Sequence, residues 1–220
     1  MRKVLEKLLH RPFSAKEALK QGLSRMDLTR LVKEGVLHRL RWGIYEVDED
    51  ALIREVSRDG SGYGIGVGYG KGHIDGSGGD EYTDEEKEYI MATIKCGSPS
   101  VICLLSALEH YHLTDIITKQ TWVMVPESKR INDSRLRLIR SRNPHWTKGI
   151  KKNEDYNITT LERTLIDCLL HKRLIGSQVA LAALKLAVSQ KKIRIKDVID
   201  LAKKMKVLHR IMPYLEVLAS

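Results

Sequence analysis

Ten of the chain's 16 glycines fall within residues 60–79, most of them in the stretch GYGIGVGYGKGHIDGSGG that runs from Gly62 to Gly79. Glycine brings no side chain to a core and loses more backbone entropy on ordering than any other residue. A chain of 220 residues interrupted in this way has to build its cores on either side of the interruption. The division read from the sequence is a first domain over residues 1–56, a glycine-rich insertion or linker over 57–82, and a second domain over 83–220.

The lysine inside the stretch invites comparison with a phosphate loop. Such a loop places four residues between two glycines and follows the second with Lys-Ser/Thr, whose hydroxyl holds magnesium. Counting back from Gly70-Lys71 puts Ile65 where the first glycine belongs and Gly72 where the hydroxyl belongs. A dinucleotide fingerprint joins a strand directly to a helix, and no helical apolar pattern begins here until after Thr83. Neither reading fits, so no nucleotide and no other cofactor is expected. The alternation leaves Tyr63, Ile65, Val67 and Tyr69 on one side of an extended arm.

Charge divides along the same line. Residues 1–45 carry 11 Lys/Arg against 4 Asp/Glu, a net +7; residues 46–95 carry 5 against 13, a net −8; residues 96–220 carry 22 against 11, a net +11. A net +7 over so short a first segment attracts polyanions by counterion release, which makes nucleic acid the first partner to consider. No apolar run reaches the ~18–20 residues a membrane span needs. The opening MRKVLEKLLHRPFS reads as an amphipathic helix and not as a signal peptide. The three cysteines, Cys96, Cys103 and Cys168, show no CxxC spacing, so neither a metal site nor a disulfide framework is expected, and the chain reads as cytoplasmic.

The basic first segment has its own order of elements. KVLEKLL puts Val4, Leu5, Leu8 and Leu9 on one helical face. SAKEAL opens a second helix, with Ser14 capping over Glu17, and Gln21-Gly22 ends it. SRMDLTRLVKEG opens a third, with Ser24 capping over Asp27, and closes at Gly35. VLHRLRWGIYEV then reads as two strands turning at Arg41-Trp42-Gly43. Helix, helix, tight turn, helix and hairpin is the order of a winged helix-turn-helix, in which the third helix enters a DNA major groove. Leu28, Leu31 and Val32 would face inward. Ser24, Arg25, Met26, Thr29, Arg30 and Lys33 would face double-stranded DNA, with the helix N-terminus taking a phosphate on its free N–H groups. His38, Arg39, Arg41 and Trp42 would form a basic hairpin tip for backbone or minor-groove contact.

The second domain is expected to be mixed α/β with a helical tail, giving an α+β chain overall. TDEEKEYIMATIK is a helix capped by Thr83, SVICLLSALEHYHL a strongly apolar helix, TWVMVP and LRLIR strands, and GIKKNEDYNIT a further pairing region. From Thr160 onward LERTLIDCLLHKRLI, SQVALAALKLAVSQ, IKDVIDLAKKMKV and IMPYLEVLA follow as helices.

In their order, VICLLSALEHYHLTD, TWVMVP, LERTLIDCLLHKRLIG, ALAALK and MPYLEVLA resemble AbiEi-type antitoxins, transcriptional regulators of bacterial viral-defence, or abortive-infection, operons. LSRMDLTRLVKEGVLHRLRWGIY resembles the winged-helix segment of the same family, and the resemblance spans roughly residues 1–56 and 90–218. It implies a DNA-binding autorepressor acting on inverted repeats in its own promoter. It also implies the antitoxin of a type IV toxin–antitoxin pair, whose toxin is a nucleotidyltransferase-like protein. Ser106, Ala107 and Leu108 match the family's Ser-Ala-Leu, while Tyr111 and His112 stand where the family has His-Gly. Glu162, Arg163, Thr164 and Asp167 match its Glu-Arg-Thr-x-x-Asp.

Neither group of polar residues calls for catalysis. His110 and His112 would lie ~200° apart on a helix and could not chelate one ion. Arg163 and Asp167 are i,i+4 partners, and Glu162 sits in a first turn where carboxylates are favoured. No catalytic residue and no metal is therefore expected. The alternative from another class is a nucleic-acid-processing enzyme centred on the C-terminal half, with Asp167 essential.

Overall fold

The computed structural model describes residues 1–52 and 82–219. The glycine stretch 60–79 lies outside the described residues. The chain separates into two compact units, Met1–Ile94 and Lys95–Ser220.

In the first unit the elements run α1 (Arg2–Lys7), β1 (Phe13–Ser14), α2 (Ala15–Lys20), α3 (Arg25–Lys33), β2 (Leu37–Arg41) and β3 (Ile44–Val47). The helix boundaries are where the sequence chemistry puts them. Ser14 Oγ accepts from Glu17 N at 3.1 Å to start α2. Ser24 and Asp27 form a reciprocal capping box at α3, with Asp27 N donating to Ser24 Oγ at 3.0 Å and Ser24 N to Asp27 Oδ2 at 2.9 Å. Beyond the helix ends, Gly22 and Gly35 take φ values of 100° and 76°, the left-handed region that other residues resist. A turn of four residues between α2 and α3 makes this pair a helix-turn-helix.

The sequence did not disclose β1. Phe13 and Ser14 pair antiparallel with Tyr45 and Ile44, giving a three-stranded sheet in the order β1-β3-β2. Two residues are too few to show alternation, and Ser14 serves both as strand residue and as helix cap. Phe13, the chain's single phenylalanine, is fully buried here with Leu5, Leu8, Leu28, Leu31 and Leu37.

A further helix, α4 (Asp84–Cys96), opens on Thr83, whose Oγ1 accepts from Glu86 N at 3.2 Å. Its first turns are tied to the hairpin: Lys87 Nζ lies 2.8 Å from Glu46 Oε1, and Arg41 Nη2 lies 2.5 Å from Glu88 Oε2. For this reason most of α4 groups with the first unit, whereas the sequence division started the second domain at residue 83.

The second unit holds a five-stranded mixed sheet in the order β6-β5-β4-β8-β7, built from β4 (Val101–Ile102), β5 (Thr121–Pro126), β6 (Leu136–Ser141), β7 (Ile150–Lys152) and β8 (Asn157–Thr159). β5 pairs in parallel with β6 and antiparallel with β4, β4 in parallel with β8, and β8 antiparallel with β7. Between β4 and β5 lies α5 (Leu104–His110), and after β8 come α6 (Leu161–Leu170), α7 (Lys172–Ile175), α8 (Ser177–Ser189), α9 (Ile195–Lys204) and α10 (Leu208–Ala219). Two differences from the sequence reading have local causes. SVICLLSALEHYHL is not one helix, because β-branched Val101 and Ile102 join the sheet and Cys103 is the extended N-cap of α5. LERTLIDCLLHKRLI breaks at His171, the C-cap of one helix and the N-cap of the next.

Leu31 is fully buried on the inner face of α3. Replacing it with Ala should cost about 2–5 kcal/mol by the usual transfer and cavity contributions. Urea denaturation of the full chain should read this as a lower midpoint, and an unchanged midpoint would contradict the packing described.

Candidate nucleic-acid interface

The inward and outward faces of α3 separate cleanly. Leu28 and Leu31 are buried and Val32 packs against the same cluster, as the helical period requires. Met26, Thr29, Arg30 and Lys33 follow the i, i+3, i+4, i+7 spacing on the other side, and all four are exposed, as are Ser24 and Arg25. The nine-residue helix is about 13 Å long at 1.5 Å per residue, a length that fits within a major groove.

These residues differ in what holds them. Arg25 and Lys33 form no ion pair among the described residues. Arg30 Nη2 rests 3.3 Å from Asp27 Oδ1 and 3.1 Å from the sulfur of Met1. Thr29 Oγ1 donates to Arg25 O at 3.1 Å, one turn back. The N-terminus of the helix is less open to a phosphate than the sequence suggested. Ser24 Oγ already accepts from Asp27 N, and the Asp27 carboxylate sits at the same end. Hydrogen bonds from the Ser24 side chain and backbone hold Asp27 below the usual carboxylate range, so its negative charge persists.

At the hairpin the sequence-derived group of four divides. Arg39 and Trp42 stand in solvent, Trp42 at 87% exposure, with the Arg39 guanidinium 4.3 Å from the ring centroid. Gly43 takes φ 75° at the turn, and the register shifts between Arg39 and Arg41. Arg41 points elsewhere: its side chain is only 14% exposed and pairs with Glu88. His38 is exposed but its Nε2 lies 2.7 Å from Asp48 Oδ2. Of the four, only Arg39 and Trp42 are free of an acidic partner among the described residues.

Three residues of Glu-Arg-Thr-x-x-Asp, Arg163, Thr164 and Asp167, are buried and hydrogen-bonded in the second unit. Arg163, 2% exposed, donates from Nε to Asp167 Oδ2 at 2.8 Å. Its Nη1 donates to the carbonyls of Trp146 at 3.0 Å and Lys148 at 2.5 Å, and Nη2 faces Met124 Sδ at 3.7 Å. Gly149 is obligatory beside it: φ is 69°, and a Cβ there would stand 2.8 Å from Arg163 Cβ. Thr164 Oγ1 donates to Thr160 O at 2.8 Å, and Thr160 caps α6 by accepting from Arg163 N at 3.4 Å. Glu162 is half-buried in the first turn of that helix. Burial pushes the Asp167 carboxyl up, offset in part by the Arg163 charge and hydrogen bond. Burial likewise raises the thiols of Cys103 and Cys168 well above their ordinary value, which removes them as nucleophiles.

Ser106 is separate from this group. Buried on α5, it accepts from Trp122 N at 3.0 Å and so fastens that helix to β5. Tyr111 and His112, which depart from the family pattern, each have a local role. Tyr111 Oη donates to Thr159 O at 2.8 Å, while His112 takes φ 53°, the backbone conformation that a glycine would adopt freely. Among the described residues no group of three or more His, Cys, Asp or Glu could hold a metal ion, and no helix is long and apolar enough to cross a membrane. The sequence reading overlooked one basic feature, a cleft lined by Arg130, Arg140 and Arg142 with Glu127 on the side of edge strand β6. The alternating arginines of RLRLIRSR are its signal in the sequence.

Residues 3–47 match the family described as transcriptional regulator, AbiEi antitoxin. This is the family whose resemblance the sequence carries. The matched segment begins in α1 and ends on the last residue of β3, taking in α3 and both strands of the hairpin. No curated protein matches the chain.

The network around Arg163 makes a stability prediction. Arg163→Ala strands the Asp167 carboxylate and two carbonyls without donors, and loss of one partner of a buried pair costs about 3–5 kcal/mol. Asp167→Asn keeps an acceptor for Nε and should cost clearly less. Chemical denaturation of both variants checks the order, and equal losses would mean that the charge of Asp167 matters more than its acceptor geometry.

Proposed function

We propose that this chain is a DNA-binding transcriptional autorepressor and the antitoxin of a type IV abortive-infection pair. The observation that carries the proposal is the outward face of α3, where Arg25, Met26, Thr29, Arg30 and Lys33 are exposed on a helix whose opposite face is packed into a core. The family match over residues 3–47 supports the same reading. In it, residues 1–47 act as a winged helix-turn-helix: α3 enters the major groove of operator DNA, and the hairpin carries Arg39 and Trp42 to the flanking backbone or minor groove. The operator lies in the chain's own promoter as inverted repeats, the toxin partner is nucleotidyltransferase-like, and the protein works in the cytoplasm without a cofactor.

The second unit serves as the antitoxin domain and not as an enzyme. Arg163, Thr164 and Asp167 are bonded to one another's turns and to the surrounding carbonyls, which leaves neither the Arg163 guanidinium nor the Asp167 carboxylate aimed at a substrate. Divalent-metal-dependent turnover of nucleic acid, lost in a folded Asp167→Asn variant, would replace this reading with the enzymatic one.

Two gel-shift measurements on the chain's own promoter test the DNA-binding half. Arg25→Ala with Arg30→Ala should weaken binding, each well-made base contact being worth about 1–3 kcal/mol, and unchanged affinity would remove α3 from the interface. Binding by the wild type should fall steeply with added salt. At the hairpin, Arg39→Ala should weaken operator and random DNA about equally, as a backbone contact does. Arg41→Ala should have the smaller effect, since its guanidinium is held by Glu88. A larger loss from Arg41→Ala would mean that DNA displaces the carboxylate.

A further inference from the structure

We propose that Met26 recognises the C5-methyl group of a thymine, so that each operator half-site carries a thymine facing the N-terminal end of α3. The inference rests on the DNA-binding reading above and adds a base identity to it.

Met26 is 82% exposed, which makes it the one large apolar side chain turned to solvent on α3. It takes no part in the core that Leu28 and Leu31 build from the same helix. Its backbone is nonetheless fixed, because it lies between Ser24 and Asp27, the two residues of the capping box. The polar residues around it, Ser24, Arg25, Thr29 and Arg30, belong to the proposed interface. An unbranched thioether in that setting offers no hydrogen-bond donor and only a weak acceptor.

Thr29 adds to the same character. It stands one turn after Met26, and its hydroxyl donates to Arg25 O at 3.1 Å. That bond occupies the hydroxyl with the helix backbone and leaves the γ-methyl as the group available for contact. The N-terminal half of the outward face therefore presents two apolar groups, flanked by the guanidiniums of Arg25 and Arg30.

Base edges in the major groove are donors and acceptors with one exception, the C5-methyl of thymine. A phosphate gains nothing from a thioether, and a guanine or cytosine edge would be desolvated by Met26 without a replacement partner. Thymine is the base whose edge is improved by this contact. The size of the effect follows from burial of one methyl-sized group, about a fourfold change in affinity.

The test uses the full chain and a duplex of the DNA immediately upstream of its own coding sequence, with thymines replaced one at a time by uracil. Uracil keeps the base pair and removes only the methyl. Wild type should lose about fourfold in affinity at one thymine and its symmetry mate, with little change elsewhere. Met26→Ala should bind the thymine duplex as weakly as wild type binds the uracil duplex, and should no longer distinguish the two. Met26→Gln, which keeps the length of the side chain, should likewise fail to distinguish them, and thermal melts should show both variants folded. Full discrimination by Met26→Ala would overturn the inference. So would indifference of the wild type to every uracil, while sensitivity to Arg25→Ala in the same assay would leave the DNA-binding reading standing. A wild-type chain that retards no duplex would sink that reading, and this inference with it.

Discussion

Arg163 is the point on which the second unit depends. A guanidinium is a rigid planar fork of donors that never loses its charge, so burying one obliges the surrounding chain to supply acceptors in fixed directions. Here Asp167 supplies one from the next turn of α6, and the carbonyls of Trp146 and Lys148 supply two more from the loop before β7. The loop can approach that closely because Gly149 has no Cβ and tolerates φ 69°. Gly149 O in turn accepts from Thr160 N at 2.9 Å, next to the cap of α6. One side chain thus ties α6 to the loop that leads into β7. A lysine would keep the charge without the fork, and an apolar residue would leave carbonyls and a carboxylate buried without partners.

The first unit follows a different logic, since among its described residues no charged side chain is buried. Its cluster is aliphatic apart from Phe13, and its geometry comes from helix ends: Ser14 and Ser24 as N-caps, Gly22 and Gly35 in left-handed conformation just beyond the C-termini. Caps fix where each helix begins in register with the apolar period. That register decides that Leu28 and Leu31 go in while Met26, Thr29, Arg30 and Lys33 go out. Moving the start of α3 by one residue would turn the whole outward set by ~100°. The capping box formed by Ser24 and Asp27 is therefore a determinant of the surface proposed to face DNA, even though neither residue has to touch a base.

Much of this was legible in the sequence because the signals are local. Capping pairs, helix-ending glycines and short-range periods are read locally, and they placed α2, α3, the hairpin and the start of α6 correctly. What escaped depends on distant partners. Strand β1 is two residues long and exists only because β3 offers an edge. Val101 and Ile102 were absorbed into a helix because an apolar run carries no period to say whether it is strand or helix. The pairing of Arg163 with Asp167 was readable from their i,i+4 spacing. The carbonyls of Trp146 and Lys148 were not, since nothing in the sequence marks a loop 15–17 residues away as an acceptor.

The same distinction governs the electrostatics of the proposed DNA surface. Net charge counted over residues 1–45 treats every Lys and Arg there as available to a polyanion. The acidic segment that follows folds back onto two of the hairpin's basic side chains: Glu88 takes Arg41, and Asp48 takes His38. Glu46, on the hairpin itself, adds a carboxylate that Lys87 compensates. A guanidinium already neutralised by a carboxylate releases no counterion when a phosphate approaches, unless the first partner is displaced. Within α3 and the hairpin, the positive charge left without an acidic partner among the described residues therefore falls on Arg25 and Lys33 and on Arg39 beside Trp42, a narrower set than composition implies. In the proposed DNA-binding reading, each hairpin charge already held by a carboxylate is one phosphate contact fewer, which shifts weight to base edges. That places the burden of recognition on the outward face of α3, where an exposed methionine stands among the cations.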